Sequence, residues 1–252
     1  MPETKHKILE KYRQLTGKSF KNLNEYLYDT LPNKNNALSI YFDYIKPVLD
    51  NSGNLLDVGC GNGTHSRITK ARNIFGIDID KNKINEYYSR ERRKRAYYFF
   101  GASEKIPIQN NAIDTILCHS LLEHLEKPEK SFAEFSRVIK KNGRLIILTS
   151  NILNPFYLTN MILLLSIRKK LSSFLSTSIN RTPTFYKTNY ASLLNKKIKP
   201  YGFKKIKLIR GTDVPISFKN PYNFLWTYSN KLFYWKPLNI FLPIFCIIYK
   251  KI

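Results

Sequence analysis

Acidic residues are what this 252-residue chain runs short of, and the shortage is confined to one half. Residues 1–134 carry 21 Lys and Arg against 17 Asp and Glu, a net +4; residues 135–252 carry 21 against Asp213 alone, a net +20. A lysine-rich composition would raise the bases throughout without removing acids from one half. The asymmetry points to an anionic surface or substrate on the C-terminal side. Cysteine is scarce too: Cys60, Cys118 and Cys246 are too few and too scattered for a disulfide framework or a metal knuckle, which fits a reducing compartment. Long hydrophobic runs are missing. The apolar stretches Phe156–Ile167 and Pro243–Tyr249 fall short of the roughly 20 residues that span a bilayer. The polar opening, MPETKHKILEKYRQ, has no apolar signal-peptide core. A soluble cytoplasmic protein, peripheral at most to the inner membrane surface, is expected.

With 43% hydrophobic and 14% aromatic residues the chain can bury a sizeable core. Residues 1–50 read as helical pieces with apolar residues at three and four spacing, a lead-in to a domain over 51–252. From Asn54 short apolar runs alternate with amphipathic segments: NLLDVG, NIFGID, AYYFFG, IDTILCHS and GRLIILTS as strands, with THSRITKA, KNKINEYYSRER and PEKSFAEFSRVIK as helices between them. Buried runs joined by helices predict a doubly wound, mostly parallel α/β sheet. AYYFFG reads as a buried strand. The rhythm breaks over 152–181 and again over 212–242, which read as insertions, and IFCIIYK reads as the last strand.

The first strand ends in LLDVGCGNGTHS, with Gly59, Gly61 and Gly63 at alternate positions behind Asp57. Glycines there permit a tight turn and leave no Cβ between backbone and ligand. The spacing is not that of the pyrophosphate fingerprint, and the Lys and Ser or Thr of a phosphate loop are missing. Asp57 would repel a phosphate and favour a cation. The second strand ends at GIDID, which puts Asp78 at its tip, where an acid accepts hydrogen bonds from ribose hydroxyls. The demand is for a nucleoside that carries a positive group.

These residues resemble the class I S-adenosylmethionine-dependent methyltransferases, in particular the type 11 branch. LLDVGCGNGTHS looks like the first motif, GIDID the second, and GASEKIPIQNNAIDTILCHSLLEHLEKPEKSFAEFSRVIKKNGRLIILTSN the third to sixth in order. The likeness is strong over 51–151 and loose over 182–252. It implies a Rossmann-like, seven-stranded sheet with an antiparallel last strand, and S-adenosyl-L-methionine as cofactor. By the same resemblance, Asp57, Gly59, Cys60, Gly61 and Gly63 hold its methionine part, Asp78 and Ile79 the ribose end, and Ala102 and Ser103 flank the adenine. Many relatives have an acid where Ala102 stands, so Ser103, Glu104 or backbone and apolar contact must serve instead. Cys118 lies beside the methyl donor, and His119, at the end of the fourth strand, is the candidate general base. Some relatives hold a metal at positions matching Ser120, Glu123 and His124; with Ser120 in place of the first acid, no metal site is expected.

Methyl transfer from a sulfonium requires chiefly that nucleophile, methyl carbon and sulfur be held in line. The acceptor is set by the insertions. Asn154–Leu175 and Asn220–Pro243 are aromatic, aliphatic and cationic with hardly an acid, as in an interfacial helix on anionic lipid. The sequence therefore predicts methyl transfer to a small-molecule acceptor, lipid-linked or membrane-proximal, such as a quinone precursor or glycan intermediate. An RNA methyltransferase that uses the same basic half on phosphate is one alternative; a non-catalytic cofactor-binding interaction protein is the other.

Overall fold

The computed structural model describes residues 40–61, 63, 69–90, 94–155, 157–158, 183–212 and 232–252. Most of the helical lead-in, residues 64–68 of the helix expected over THSRITKA, residues 91–93 and the bulk of both insertions lie outside the described residues, and residues 69–71, which are described, are not helical.

Seven strands form one sheet: β1 (Asn54–Val58), β2 (Asn73–Asp78), β3 (Ala96–Phe100), β4 (Ile113–His119), β5 (Ile139–Ser150), β6 (Phe203–Gly211) and β7 (Ile244–Lys251), in the order β3-β2-β1-β4-β5-β7-β6. The pairs from β3 across to β5 are parallel. β7 runs antiparallel to both its neighbours. The order reverses at β1, so the chain leaving β1 leads to β2 on one side and the chain leaving β4 leads to β5 on the other, and a crevice opens beyond their carboxyl ends. The doubly wound α/β expectation holds, with the antiparallel last strand in place.

Local sequence accounts for the helices. After a single π-turn at Tyr41–Ile45, α1 (Lys46–Asp50) carries Pro47 in its first turn, where a missing N–H costs nothing. α2 (Lys81–Arg90) starts where Asp80 Oδ1 accepts the Asn82 N–H at 3.0 Å. α3 (Pro128–Val138) buries Phe132, Phe135 and Val138 on one stripe, and α4 (Ala191–Ile198) buries Leu194 and Ile198, one turn apart. Gly202, at φ +78°, ends the short 3₁₀ turn Lys199–Tyr201 that follows α4.

Two cores sandwich the sheet, and alternate residues of a strand feed each. Phe245, Ile247 and Tyr249 join α3 and α4 on one side; Ile244, Cys246 and Ile248 join α1 and Ile40 on the other. A strand covered on both faces is apolar at successive positions, which is why β7 reads as an unbroken hydrophobic run. β3 differs from expectation. As the edge strand next to β2 it leaves Tyr97 46% and Phe100 64% exposed, with only Tyr98 buried. Among the described residues no helix is long and apolar enough to cross a membrane.

Candidate functional site

The carboxyl ends of β1, β2 and β4 and the turn after β3 gather most of the residues singled out in the sequence. The turn after β1 is held from below: the N–H groups of Gly59 and Cys60 both donate to the Ile77 carbonyl, at 2.8 and 3.1 Å. Gly61 then donates to Asp78 Oδ2 at 2.7 Å. Gly59, Gly61 and Gly63 all have positive φ, a conformation that side chains oppose. Space decides further. A Cβ on Gly59 would stand 3.0 Å from Leu121 Cδ1, whereas one on Gly61 would meet, among the described residues, nothing nearer than Lys83 Cδ at 4.0 Å. Among the described residues, the Gly61 side is thus an uncluttered cradle.

Asp57 and Asp78 are both buried, and they put two acids beneath that cradle. Asp78 is oriented by backbone on both oxygens, since Oδ1 accepts from the Asp80 N–H at 2.9 Å. Each oxygen keeps lone-pair capacity for a further donor. Ile79, 65% exposed, follows at the mouth. Such a set suits a cationic nucleoside and opposes a phosphate, so the residues present fit S-adenosylmethionine.

Cys60 and Cys118 contribute differently from the glycines. Cys60 packs under β2 in the core: a Cβ on Gly76 would lie 3.0 Å from its Sγ and 2.4 Å from the Tyr98 ring. Cys118 is fully buried in the opposite core. Burial first, and then the charge of Asp57, push both thiols up, so neither is a nucleophile. What these two residues can offer a ligand is backbone.

At the turn after β3, Ala102 is half-buried and supplies no acid. The buried Ser103 hydroxyl donates to Glu104 Oε2 at 3.0 Å and contacts Ser131 Oγ at 2.8 Å. That hydroxyl is already engaged at both its proton and its oxygen, and it aligns Glu104, the neighbouring carboxylate.

His119 closes β4. Burial pulls its imidazole down to about 4, so the ring is neutral near pH 7 and correctly protonated for a base, but a weak one. Ser120 follows at φ +51° with its N–H on the Leu148 carbonyl (2.8 Å), which turns the chain into the 3₁₀ turn Leu122–His124. His124 Nδ1 lies 2.7 Å from the Pro183 carbonyl, an acceptor only, so Nδ1 carries the proton. Among the described residues no three His, Cys, Asp or Glu side chains are placed to hold a metal.

One cluster was not anticipated from sequence. Thr149 Oγ1 donates to Glu123 Oε2 (2.7 Å) and accepts from Asn189 Nδ2 (2.8 Å), while the Phe185 N–H donates to the Glu123 carbonyl (2.7 Å). Asn151 Nδ2 donates to the carbonyls of Ile240 and Leu242 at 2.7 and 2.8 Å. These bonds tie the chain that follows the first insertion, and the end of the second, to the tips of β4 and β5. Burial lifts the Glu123 carboxyl above its ordinary range, against the lowering pull of the Thr149 hydroxyl. The polar run LTSN at the end of an apolar strand was the only sequence signal.

Comparison with known proteins agrees with this geometry. Residues 56–147 match the family described as "Methyltransferase domain". The chain is 29% identical over 112 residues to a ubiquinone biosynthesis O-methyltransferase of Rickettsia canadensis, covering 43% of this chain and 47% of that protein. It is 32% identical over 97 residues to an uncharacterised protein of Methanocaldococcus jannaschii, covering 38% and 40%. The aligned region thus spans less than half the length of these curated relatives. Among solved structures, an S-adenosylmethionine-dependent methyltransferase from Mesorhizobium loti superposes with a TM-score of 0.55 at 13% identity, covering 81% of this chain and 93% of that one. One from Archaeoglobus fulgidus gives 0.52 at 16% identity, covering 81% and 89%. At such identities the likeness is one of fold.

Proposed function

We propose that this chain, whose residues 56–147 match the methyltransferase-domain family, is a class I S-adenosylmethionine-dependent methyltransferase of the type 11 branch and transfers a methyl group to a small-molecule acceptor. The observation that carries this reading is the Gly61 N–H on Asp78 Oδ2 at 2.7 Å, which joins an open glycine cradle to an oriented carboxylate. Bound there, S-adenosylmethionine supplies a methyl group that its sulfonium has already activated.

The chain's own residues then bind and orient. The Gly59–Gly63 turn lies against the methionine part, Asp57 offsets the positive charge, and Asp78 with Ile79 receives the ribose end. Glu104, aligned by Ser103, stands in for the acid missing at Ala102. Transfer is an in-line displacement, for which positioning supplies most of the rate. A hydroxyl acceptor needs its proton removed, and His119, neutral above about pH 4, is the group at the β4 tip that receives it.

The acceptor we favour is lipid-linked or membrane-proximal, a quinone precursor or glycan intermediate. Its support is the acid-poor, aromatic sequence of the two insertions, together with the name of the Rickettsia canadensis relative. The test is incubation of cell extract with methyl-labelled cofactor and the purified chain, followed by separation into lipid, small-molecule and RNA pools. Label in the lipid or small-molecule pool upholds the proposal. Label in the RNA pool overturns the acceptor, and no label in any pool overturns the transfer itself.

A further inference from the structure

The opposite end of the sheet from the crevice carries an open basin of about 530 Å³. Pro47, Val48 and Asn51 of α1 and its C-terminal flank form one wall, and Lys141 and Arg144 stand on the other. The turn that presents them is tight by necessity: a Cβ on Gly143 would lie 2.7 Å from Ile139 Cγ1 and 2.8 Å from the Lys140 carbonyl, and Asn142 takes φ +66°. One acid, Asp114, borders the basin, and both its oxygens are engaged, Oδ1 by Lys140 Nζ and Oδ2 by the Asn54 N–H, each at 2.7 Å. Its charge is therefore answered locally.

From the basin the positive charge continues across the sheet. Arg144 of β5 is paired directly with Lys250 of β7, and Lys250 with Lys204 of β6. Directly paired residues project from the same face, so three cations stand in a row about 10 Å long. Like charges in that arrangement oppose pairing. Among the described residues, none of the three has a carboxylate partner, and the described part of 135–252 contains no Asp or Glu. Lys207, farther along the same face, is by contrast seated over the Tyr44 ring at 4.1 Å. Protection of an exposed sheet edge accounts for lysines on β6, the edge strand. It does not account for Arg144 on β5 or Lys250 on β7, both of which are interior strands.

We propose that this basin is a second binding site, for a phosphate-bearing ligand, with Arg144 and Lys141 as its principal contacts and Lys250 and Lys204 extending it. The volume is that of a small-molecule site. A guanidinium matches phosphate with two parallel hydrogen bonds, and a bound dianion would relieve the repulsion along the row. A free phosphorylated metabolite and a phosphomonoester lipid headgroup present the same chemistry. The site lies about 20 Å from the crevice, the rise of the six residue steps along β5 from Arg144 to Ser150, and it stands independently of the methyl-transfer reading.

The test is titration calorimetry on the full chain without cofactor. Inorganic pyrophosphate is the soluble probe; phosphatidylcholine vesicles with and without phosphatidic acid are the lipid probe. We expect saturable binding with one ligand per chain, weakened about tenfold or more by Arg144→Gln through loss of charge-assisted hydrogen bonds. Lys196→Gln, an equal charge change on α4, should leave it unaltered. Melting without ligand should show Arg144→Gln at least as stable as the native chain, because it relieves the row; should that variant fail to fold, Lys141→Gln takes its place. Pyrophosphate binding assigns the site to a free phosphate ligand, and Arg144-dependent binding to phosphatidic acid alone assigns it to a headgroup; either upholds the proposal. No binding of either probe, binding indifferent to Arg144 and Lys141, or tight RNA binding that pyrophosphate cannot displace overturns it.

Discussion

The backbone N–H of Gly61 donates to the side chain of Asp78 at 2.7 Å, so the tip of β2 holds the turn that follows β1. One carboxylate therefore shapes the cradle and is offered to whatever fills it. Asp78→Ala is expected to weaken S-adenosylmethionine binding by about 1 to 3 kcal/mol, through loss of charge-assisted hydrogen bonds and a loosened turn. Asp78→Asn, which keeps one acceptor oxygen, should lose less. Calorimetric affinity unchanged in Asp78→Ala would refute the ribose assignment.

His119 makes a prediction in pH. Its folded value, about 4, lies below the ordinary 6.5 because of burial. The unfolded chain therefore takes up this proton first as the pH falls, and the stability associated with a neutral His119 is present above about pH 6.5 and lost on the way down to about 4. The ring resonances followed by NMR should titrate near 4. If His119 is the base, kcat/KM should carry an acid limb at that pH and be flat with respect to this group from about 6 to 8. A limb near 6.5 would place the base elsewhere.

Glu123 predicts the opposite sign. Burial raises its carboxyl, so its contribution to stability is greatest below the ordinary carboxylate value of 4.5 and is lost as the pH rises through the folded value. Glu123→Gln keeps an oxygen for the Thr149 hydroxyl and removes the buried charge. The variant should gain stability relative to the native chain as urea melts are moved from acid toward alkaline pH. A difference that does not vary with pH would show that the charge is not what matters there.

Thr149→Val tests the same junction by another route. It removes the donor to Glu123 and the acceptor for Asn189, leaving Asn189 Nδ2 only the Ser150 carbonyl at 3.3 Å. Urea melts should show a loss of about 1 to 3 kcal/mol, the usual cost of orphaned buried polar groups. Loss of less than a few tenths would mean the junction does not hold the roots of the insertions.

Arg137 locks the connection between β3 and β4. It donates to both Glu134 oxygens at 2.7 Å and to the carbonyls of Ile106 and Ile108 at 2.8 Å. These bonds hold the Glu134 carboxyl below its ordinary range, so their stabilisation is complete above about pH 4.5 and lost in acid. Arg137→Ala should cost about 2 to 3 kcal/mol at neutral pH, and less at pH 3. Denaturant melts at the two pH values would reveal the difference.

Much of the architecture was legible in the chain itself. Strand and helix identities follow from short apolar runs and three-and-four spacing, and the Gly59–Gly63 turn and the acid at Asp78 follow from residue types that few other backbones need. Neighbour relations were not legible. AYYFF reads as buried because its composition is apolar, yet β3 lies at an edge, where among the described residues one side has no partner strand. Cys118 sits beside the crevice in sequence, but the pleat turns its thiol into the core.

What the sequence by itself determined is local: which segments are extended or helical, where backbone must turn without a Cβ, and where charge of one sign accumulates. The tertiary structure decided what meets across distance. Glu123, Thr149 and Asn189 become one polar junction, and Arg144, Lys250 and Lys204 become one row, only because strands remote along the chain pair in a particular register. Register comes from burying both faces of the sheet at once, a condition on the whole domain that no single segment contains.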